Sequence, residues 1–292
     1  MSVKFLIIGL NIGTIYVDYF NRLGIEVDTL DIDTKKNPTY TEYSEITSKY
    51  DAIVICSPNY THDTFIEKFW DKTDCFIVDK PGLADYEKFK HLTCGTNKRI
   101  MMIKNNLYRP ELKGLNSILW DSDVSSVDIK WNNKNRIPFP GGWFTHKEKA
   151  YGGVSRDLLP HLLSFFYGLT GEIANVSNVE SKQNWNMNTV IDTDYGVINT
   201  IDPVYNVDDY CKCDITYNGI QFRLEANWKT NIEDNISITF NWEDGRTMKY
   251  NFGLCPVNAY EKMIDSYLTF NEKEYKKNLN VDLWIHKIME LF

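Results

Sequence analysis

The first hundred residues alternate short, continuously apolar runs with amphipathic stretches, and this alternation constrains the fold more than any other feature of the chain. The run AIVICS at 52–57 is too short for a buried helix and too uniformly apolar for a half-exposed strand. Such runs suit strands covered on both faces, the condition of a parallel sheet flanked by helices. Strands are expected at residues 4–9, 26–31, 52–57, 75–79 and 100–104, with helices near 14–23, 61–70 and 86–94. After Arg109-Pro110 the texture changes. A helix at 111–120 precedes a strand at 126–131, the loop IPFPGGW at 137–143 and a helix at 156–168. Alternating polar and apolar residues then dominate, and Asn218-Gly219 and Asp244-Gly245 mark hairpin turns. Helices near 259–270 and 281–291 close the chain.

The first apolar run leads directly into Gly9-Leu-Asn-Ile-Gly13-Thr14, which opens a helix. Glycines at such a turn let backbone approach a pyrophosphate, which the helix N-terminus then holds. Asn11 occupies the place of the second glycine of a GxGxxG pattern, or the turn is one residue short. Asp31 ends the second strand about 20 residues on, where an acid accepts from ribose hydroxyls. Gly9, Asn11, Ile12, Gly13 and Asp31 are therefore candidate dinucleotide-binding residues. The acid favours NAD by repelling a 2′-phosphate, while Asp33, Lys35 and Lys36 stand close enough to soften that preference, so NADP stays open. The expected architecture is an α/β Rossmann parallel sheet in residues 1–107, followed by an α+β domain with a mostly antiparallel open sheet in 108–292.

Charge and composition narrow the partners. The chain of 292 residues has a formal net charge of −8 and no basic stripe, which argues against nucleic acid and for a small-molecule partner. No stretch reaches the roughly 18 apolar residues of a membrane span. The apolar run at 5–10 is read as a buried strand, without the length of a signal peptide, so a cytoplasmic protein is expected. The six cysteines form no CxxC pair. Cys211 and Cys213 share one strand face, a packing pattern, and reduced thiols with no metal site are expected.

Three further segments carry chemistry: Ser57-Pro58-Asn59-Tyr60-Thr61-His62, Asp79-Lys80-Pro81, and Gly152-Gly153-Val154-Ser155-Arg156-Asp157-Leu-Leu-Pro-His161. In this order and spacing, and with Asn106-Leu-Tyr-Arg109-Pro110 between them, they resemble the glucose–fructose oxidoreductase / inositol dehydrogenase / rhizopine catabolism (Gfo/Idh/MocA) family. Over residues 4–170 the resemblance is one of motifs, and beyond about 175 one of architecture. It implies an NAD(P)-dependent oxidoreductase acting on a secondary alcohol of a sugar, nucleotide-sugar or inositol-like polyol. Ser57, Pro58, Asn59, His62 and Lys80 would lie at the cofactor. Lys80 would hydrogen-bond the reacting hydroxyl, His161 would take its proton, and Asp157 would orient the imidazole or bind a neighbouring hydroxyl. Arg109 would join Lys80, Asp157 and His161 at the substrate, with side chains of 130–149 shaping the pocket. Separately, Trp143 and Tyr151 flank the loop before Asp157, where their rings would stack on a sugar face, with core packing or an oligomer interface as the other reading. A homodimer or homotetramer through the second-domain sheet would follow the family habit.

The chemistry is consistent with those roles. An alcohol is a poor acid, so a base poised near working pH is needed, and a nearby cation steadies the developing oxyanion. Asp157 and His161 are four residues apart and share one face of a regular helix. Pro160 complicates this, since proline fits only a first helical turn. With a later helix start, Asp157 would be the N-cap and His161 would lie one turn inside. Two other readings use the same scaffold: a non-catalytic dinucleotide or sugar sensor, and a reductase similar to biliverdin reductase. His91, His146 and His286 have no context that assigns them a role.

Overall fold

A computed structural model describes residues 3–120 and 123–292. Two compact units result, one comprising residues up to Ile103 together with Tyr260–His286, the other Lys104–Ala259 with Lys287–Phe292.

In the first unit, β1 (Lys4–Ile8), β2 (Glu26–Leu30), β3 (Ala52–Ile55), β4 (Cys75–Val78) and β5 (Arg99–Met102) form a parallel sheet in the order β2-β1-β3-β4-β5. The connections carry α1 (Thr14–Arg22), α2 (His62–Lys68) and α3 (Tyr86–Cys94). Leu6, Ile7, Ile53, Ile55, Phe76, Ile77, Ile100 and Met101 are buried because both sheet faces are covered, which explains their unbroken apolar runs.

The second unit begins with α4 (Glu111–Trp120) and β6 (Val124–Asn132), then the short α5 (Lys147–Ala150) and α6 (Val154–Asp157), and α7 (Leu159–Thr170). It continues through β7 (Val176–Lys182), β8 (Tyr210–Tyr217), β9 (Ile220–Asn227), β10 (Asn235–Trp242) and β11 (Thr247–Phe252). These strands form a six-stranded sheet in the order β11-β10-β6-β9-β8-β7, antiparallel except for the β6–β9 pair. Val127, Ile129, Phe222, Leu224, Cys211 and Cys213 point to the face that α7 covers. The Asn218-Gly219 pair, both at positive φ, closes the β8–β9 hairpin as expected.

The last two helices, α8 (Val257–Thr269) and α9 (Glu272–Met289), correct the expected 108–292 domain. Most of their length belongs with the first sheet. Met102 N–H donates to Asp282 Oδ2 at 3.1 Å, Tyr267 Oη donates to the Met102 carbonyl at 2.7 Å, and Arg99 Nη1 donates to the Phe270 carbonyl at 2.7 Å. The strand at the sheet edge is thus sealed by helices more than 160 residues further along, a device that protects an open edge.

Candidate active site

The turn after β1 is built around a backbone approach. Gly9 lies at φ +87°, and a Cβ there would stand 2.6 Å from the Cys56 carbonyl oxygen. Its neighbour Leu10 donates its N–H to Asp31 Oδ2 at 2.7 Å, and Asp31 Oδ1 accepts from Asp33 N–H at 2.9 Å. Lys36 Nζ adds an ion pair to Oδ2 at 3.0 Å. Burial pushes this carboxyl up, but the Asp33 and Leu10 amides and the Lys36 ammonium outweigh it and hold Asp31 below the usual aspartate range. Asp31 is therefore a strut of the glycine turn, a role its position in the sequence did not reveal. α1 starts with neither a side-chain cap nor an acidic residue in its first turn, so its leading N–H groups and dipole are not neutralised.

A cleft of about 380 Å³ lies beside this turn. Gly9, Asn11, Asp31, Ser57 and Pro58 of the expected set line it together, along with Leu10, Ile32 and Tyr60. An uncapped helix end, a close-packed glycine and largely apolar walls that carry Asp31 suit a dinucleotide. Ile12, Gly13, Asn59, His62 and Lys80 are not among its lining residues.

His62 has a different position from the one expected of a cofactor contact. It is wholly buried, with Nδ1 at 2.7 Å from the Gly82 carbonyl and Nε2 at 2.8 Å from the Ser57 carbonyl. It ties the loop after β3 to the turn that carries Lys80 and Pro81. His286, which had no role from sequence, braces the same turn: Leu83 N–H donates to its Nε2 at 3.3 Å, and its ring stacks on Phe89 at 4.1 Å. Lys80 N–H donates to Asp79 Oδ1 at 2.9 Å.

In the second unit the segment 152–161 is pinned by Asp208. Its carboxylate accepts from Gly153 N–H at 2.9 Å, Ser155 N–H at 2.8 Å and Ser155 Oγ at 3.0 Å, capping α6 from outside the helix. A Cβ at Gly153 would overlap the Asp208 carbonyl, so only glycine fits. The helix breaks at Leu158, and Pro160 lies in the first turn of α7, where proline is tolerated. Asp157 thus ends α6; it does not cap α7. Trp228 Nε1 donates to Asp157 Oδ2 at 2.8 Å, and the His161 ring stacks on Trp131 with centroids 5.3 Å apart. Neither tryptophan was singled out in the sequence, because Trp131 on β6 and Trp228 just past β9 are both distant from the motif along the chain.

Arg109 corrects another expectation. Its side chain is fully buried, with Nε donating to Asn106 Oδ1 at 2.7 Å and Nη2 to the Gly253 carbonyl at 3.0 Å, over the Phe252 ring. Its donors brace the second unit and are not left for a substrate. Trp143 is half-buried and stacks on Phe144 at 3.8 Å. Burial pushes the Cys56 and Cys211 thiols well up, which makes them poor nucleophiles. Among the described residues no His, Cys, Asp and Glu group is placed to hold a metal, and no helix is long and apolar enough to cross a membrane.

Comparison with known proteins fits this geometry. The profile of the oxidoreductase family with an NAD-binding Rossmann fold matches residues 28–103, and that of the GFO/IDH/MocA C-terminal domain matches 123–252. The chain belongs to the Gfo/Idh/MocA family of NAD-binding oxidoreductases. A protein of Amycolatopsis mediterranei (strain S699), named as the oxidoreductase subunit of a UDP-kanosamine synthase, is 28% identical over 141 residues. That match spans 47% of this chain and only 39% of the relative. GenD2 from gentamicin A biosynthesis, solved with NAD, superposes with a TM-score of 0.73 at 14% identity, over 99% of this chain and 92% of that one. The myo-inositol dehydrogenase of Corynebacterium glutamicum ATCC 13032 gives 0.69 at 12% identity, over 99% and 96%. The WlbA dehydrogenase of Thermus thermophilus, solved with NAD and UDP-GlcNAcA, gives 0.68 at 16%, over 98% and 95%. At these identities the structures share a fold with this chain.

Proposed function

We propose that this protein is a dehydrogenase that interconverts a secondary alcohol and a ketone on a sugar, nucleotide-sugar or polyol, with Lys80, Asp157 and His161 as its catalytic residues. The observation that carries this reading is the seating of the Asp157–His161 pair: the acid is fixed by Trp228 and the imidazole by Trp131. NAD, when bound, supplies the hydride acceptor. His161 takes the hydroxyl proton, and the Trp131 face steadies the imidazolium that forms. Asp157 orients the ring or holds an adjacent hydroxyl. The Lys80 ammonium donates to the oxygen as alkoxide character develops. Names of relatives that handle inositol, UDP-kanosamine and UDP-GlcNAcA support this substrate range.

The test begins with binding of NAD, NADH, NADP and NADPH by thermal shift, since a ligand of the native state alone raises the melting temperature. A sugar and polyol panel is then screened for nicotinamide absorbance change. On the substrate found, Lys80→Met and His161→Ala are each expected to lower turnover at least about a hundredfold, the usual worth of a general acid or base. Normal turnover in both variants overturns the assignment.

We also propose a cytoplasmic homo-oligomer formed through the uncovered sheet face. On that face Asp128 and Lys130 of β6, Arg223 and Glu225 of β9, and Lys212 and Asp214 of β8 alternate in sign along each strand. Across strands Lys130 opposes Glu225, and Arg223 opposes both Asp128 and Asp214. A charge checkerboard of this kind is self-complementary, as a twofold interface requires.

A further inference from the structure

The stretch from the end of β6 into α5 carries an unusual combination for an acidic protein. Residues 130–149 hold Lys130, Lys134, Arg136, Lys147 and Lys149 against the single acid Glu148, interleaved with Trp131, Phe139, Trp143 and Phe144. Two of these cations are already neutralised, Lys130 by Glu225 at 3.6 Å and Lys134 by Glu233 at 2.7 Å. Arg136 is not. Its guanidinium has no hydrogen-bond or ion-pair partner among the described residues and rests over the Tyr195 ring, 5.5 Å from its centroid.

Arg136 also stands close to the catalytic pair through a short chain of contacts. Its N–H donates to the Trp228 carbonyl at 2.9 Å, and the Trp228 indole holds Asp157. On its other side the loop presents aromatic faces. Phe139 N–H donates to the Tyr195 carbonyl at 3.0 Å, and the two rings meet edge to face at 5.5 Å. Phe139 is 39% exposed and Tyr195 42% exposed. Phe139 holds its backbone at φ +41°, a strained conformation for an aromatic residue, and its ring occupies the space a Cβ at Gly196 would need. The surroundings thus hold large apolar rings in the open beside an uncompensated guanidinium. A planar guanidinium matches a phosphate with two parallel hydrogen bonds. Exposed rings beside it supply stacking surface for a base or a sugar face.

We propose that the substrate is a phosphorylated sugar whose phosphate is held by Arg136. This rests on the dehydrogenase reading and narrows it: neutral polyols are excluded as the preferred substrate. The shared chemistry is a phosphate ester, whether a sugar monophosphate or a nucleoside diphosphate sugar.

The test is calorimetric titration of the NADH-saturated protein with glucose 6-phosphate, UDP-glucose, UDP and glucose. A phosphorylated ligand is expected to bind at least about tenfold more tightly than glucose, the range of one charge-assisted hydrogen-bonded pair. Arg136→Gln should remove that advantage, Arg136→Lys should restore part of it, and the NADH dissociation constant should stay unchanged in both. Tighter binding of UDP and UDP-glucose, weakened further by Tyr195→Ala, identifies the nucleotide form. Tighter binding of glucose 6-phosphate, indifferent to Tyr195→Ala, identifies the monophosphate. Equal binding of glucose and the phosphorylated ligands overturns the proposal, as does an Arg136→Gln variant that binds them like the parent. Failure to bind NADH at all would instead remove the dehydrogenase reading on which the proposal rests.

Discussion

Asp31, expected at a ribose, shows how far a single residue can be engaged in architecture. A carboxylate offers about four acceptor positions, and the Leu10 and Asp33 amides and the Lys36 ammonium take three. Since its folded value lies below the ordinary aspartate range, the ionised form is favoured by folding. Its contribution to stability is present above about pH 4 and disappears as pH falls through the folded value. The melting temperature of Asp31→Asn is accordingly expected to lie below that of the parent at neutral pH. The gap should close as both are taken down from about pH 5 to about pH 3. A constant gap across that interval would show that the charge of Asp31 is not what holds the Gly9 turn.

Among the elements, the break between α6 and α7 decides what the proposed catalytic motif can do. A continuous helix would have left Asp157 to be placed by helix geometry alone. The break at Leu158 frees it to meet the indole of β9's neighbour Trp228, while Asp208 pins the start of α6. Trp228→Phe keeps the buried ring and deletes only the donor to Asp157. Turnover is expected to fall about tenfold, the worth of a hydrogen bond to a charged group, with NADH affinity unchanged. An unaltered rate would mean that Asp157 is placed without Trp228. The motif itself was legible, because Gly-Gly, Asp and His stand at fixed spacing in one short segment. Its supports were not, since Trp131, Trp228 and Asp208 come from other parts of the chain and carry no local signature. Arg109 was misjudged for the same reason: its charge was visible, and the carbonyls that consume it lie about 145 residues away.

For the molecule as a whole, the charge checkerboard makes the proposed self-association a matter of ionic strength. Screening shortens from about 10 Å at 0.1 M salt to about 3 Å at 1 M. Sedimentation velocity is expected to show the oligomer dissociating over that range, and Lys130→Glu should weaken it at low salt by placing like charges together. Salt-independent association would point to a different, apolar interface. Local pattern alone determined the parallel sheet, the glycine turn and the hairpins, since each depends on neighbours a few residues apart, where periodicity and turn chemistry act. Tertiary structure alone decided that α8 and α9 close the first sheet, that His62 and His286 brace the Lys80 turn, and that Arg109 is spent while Arg136 is not. Those outcomes depend on which hydrogen-bonding groups meet across long stretches of chain. A side chain's own identity records what it can donate or accept, and only the folded chain determines who is there to receive it.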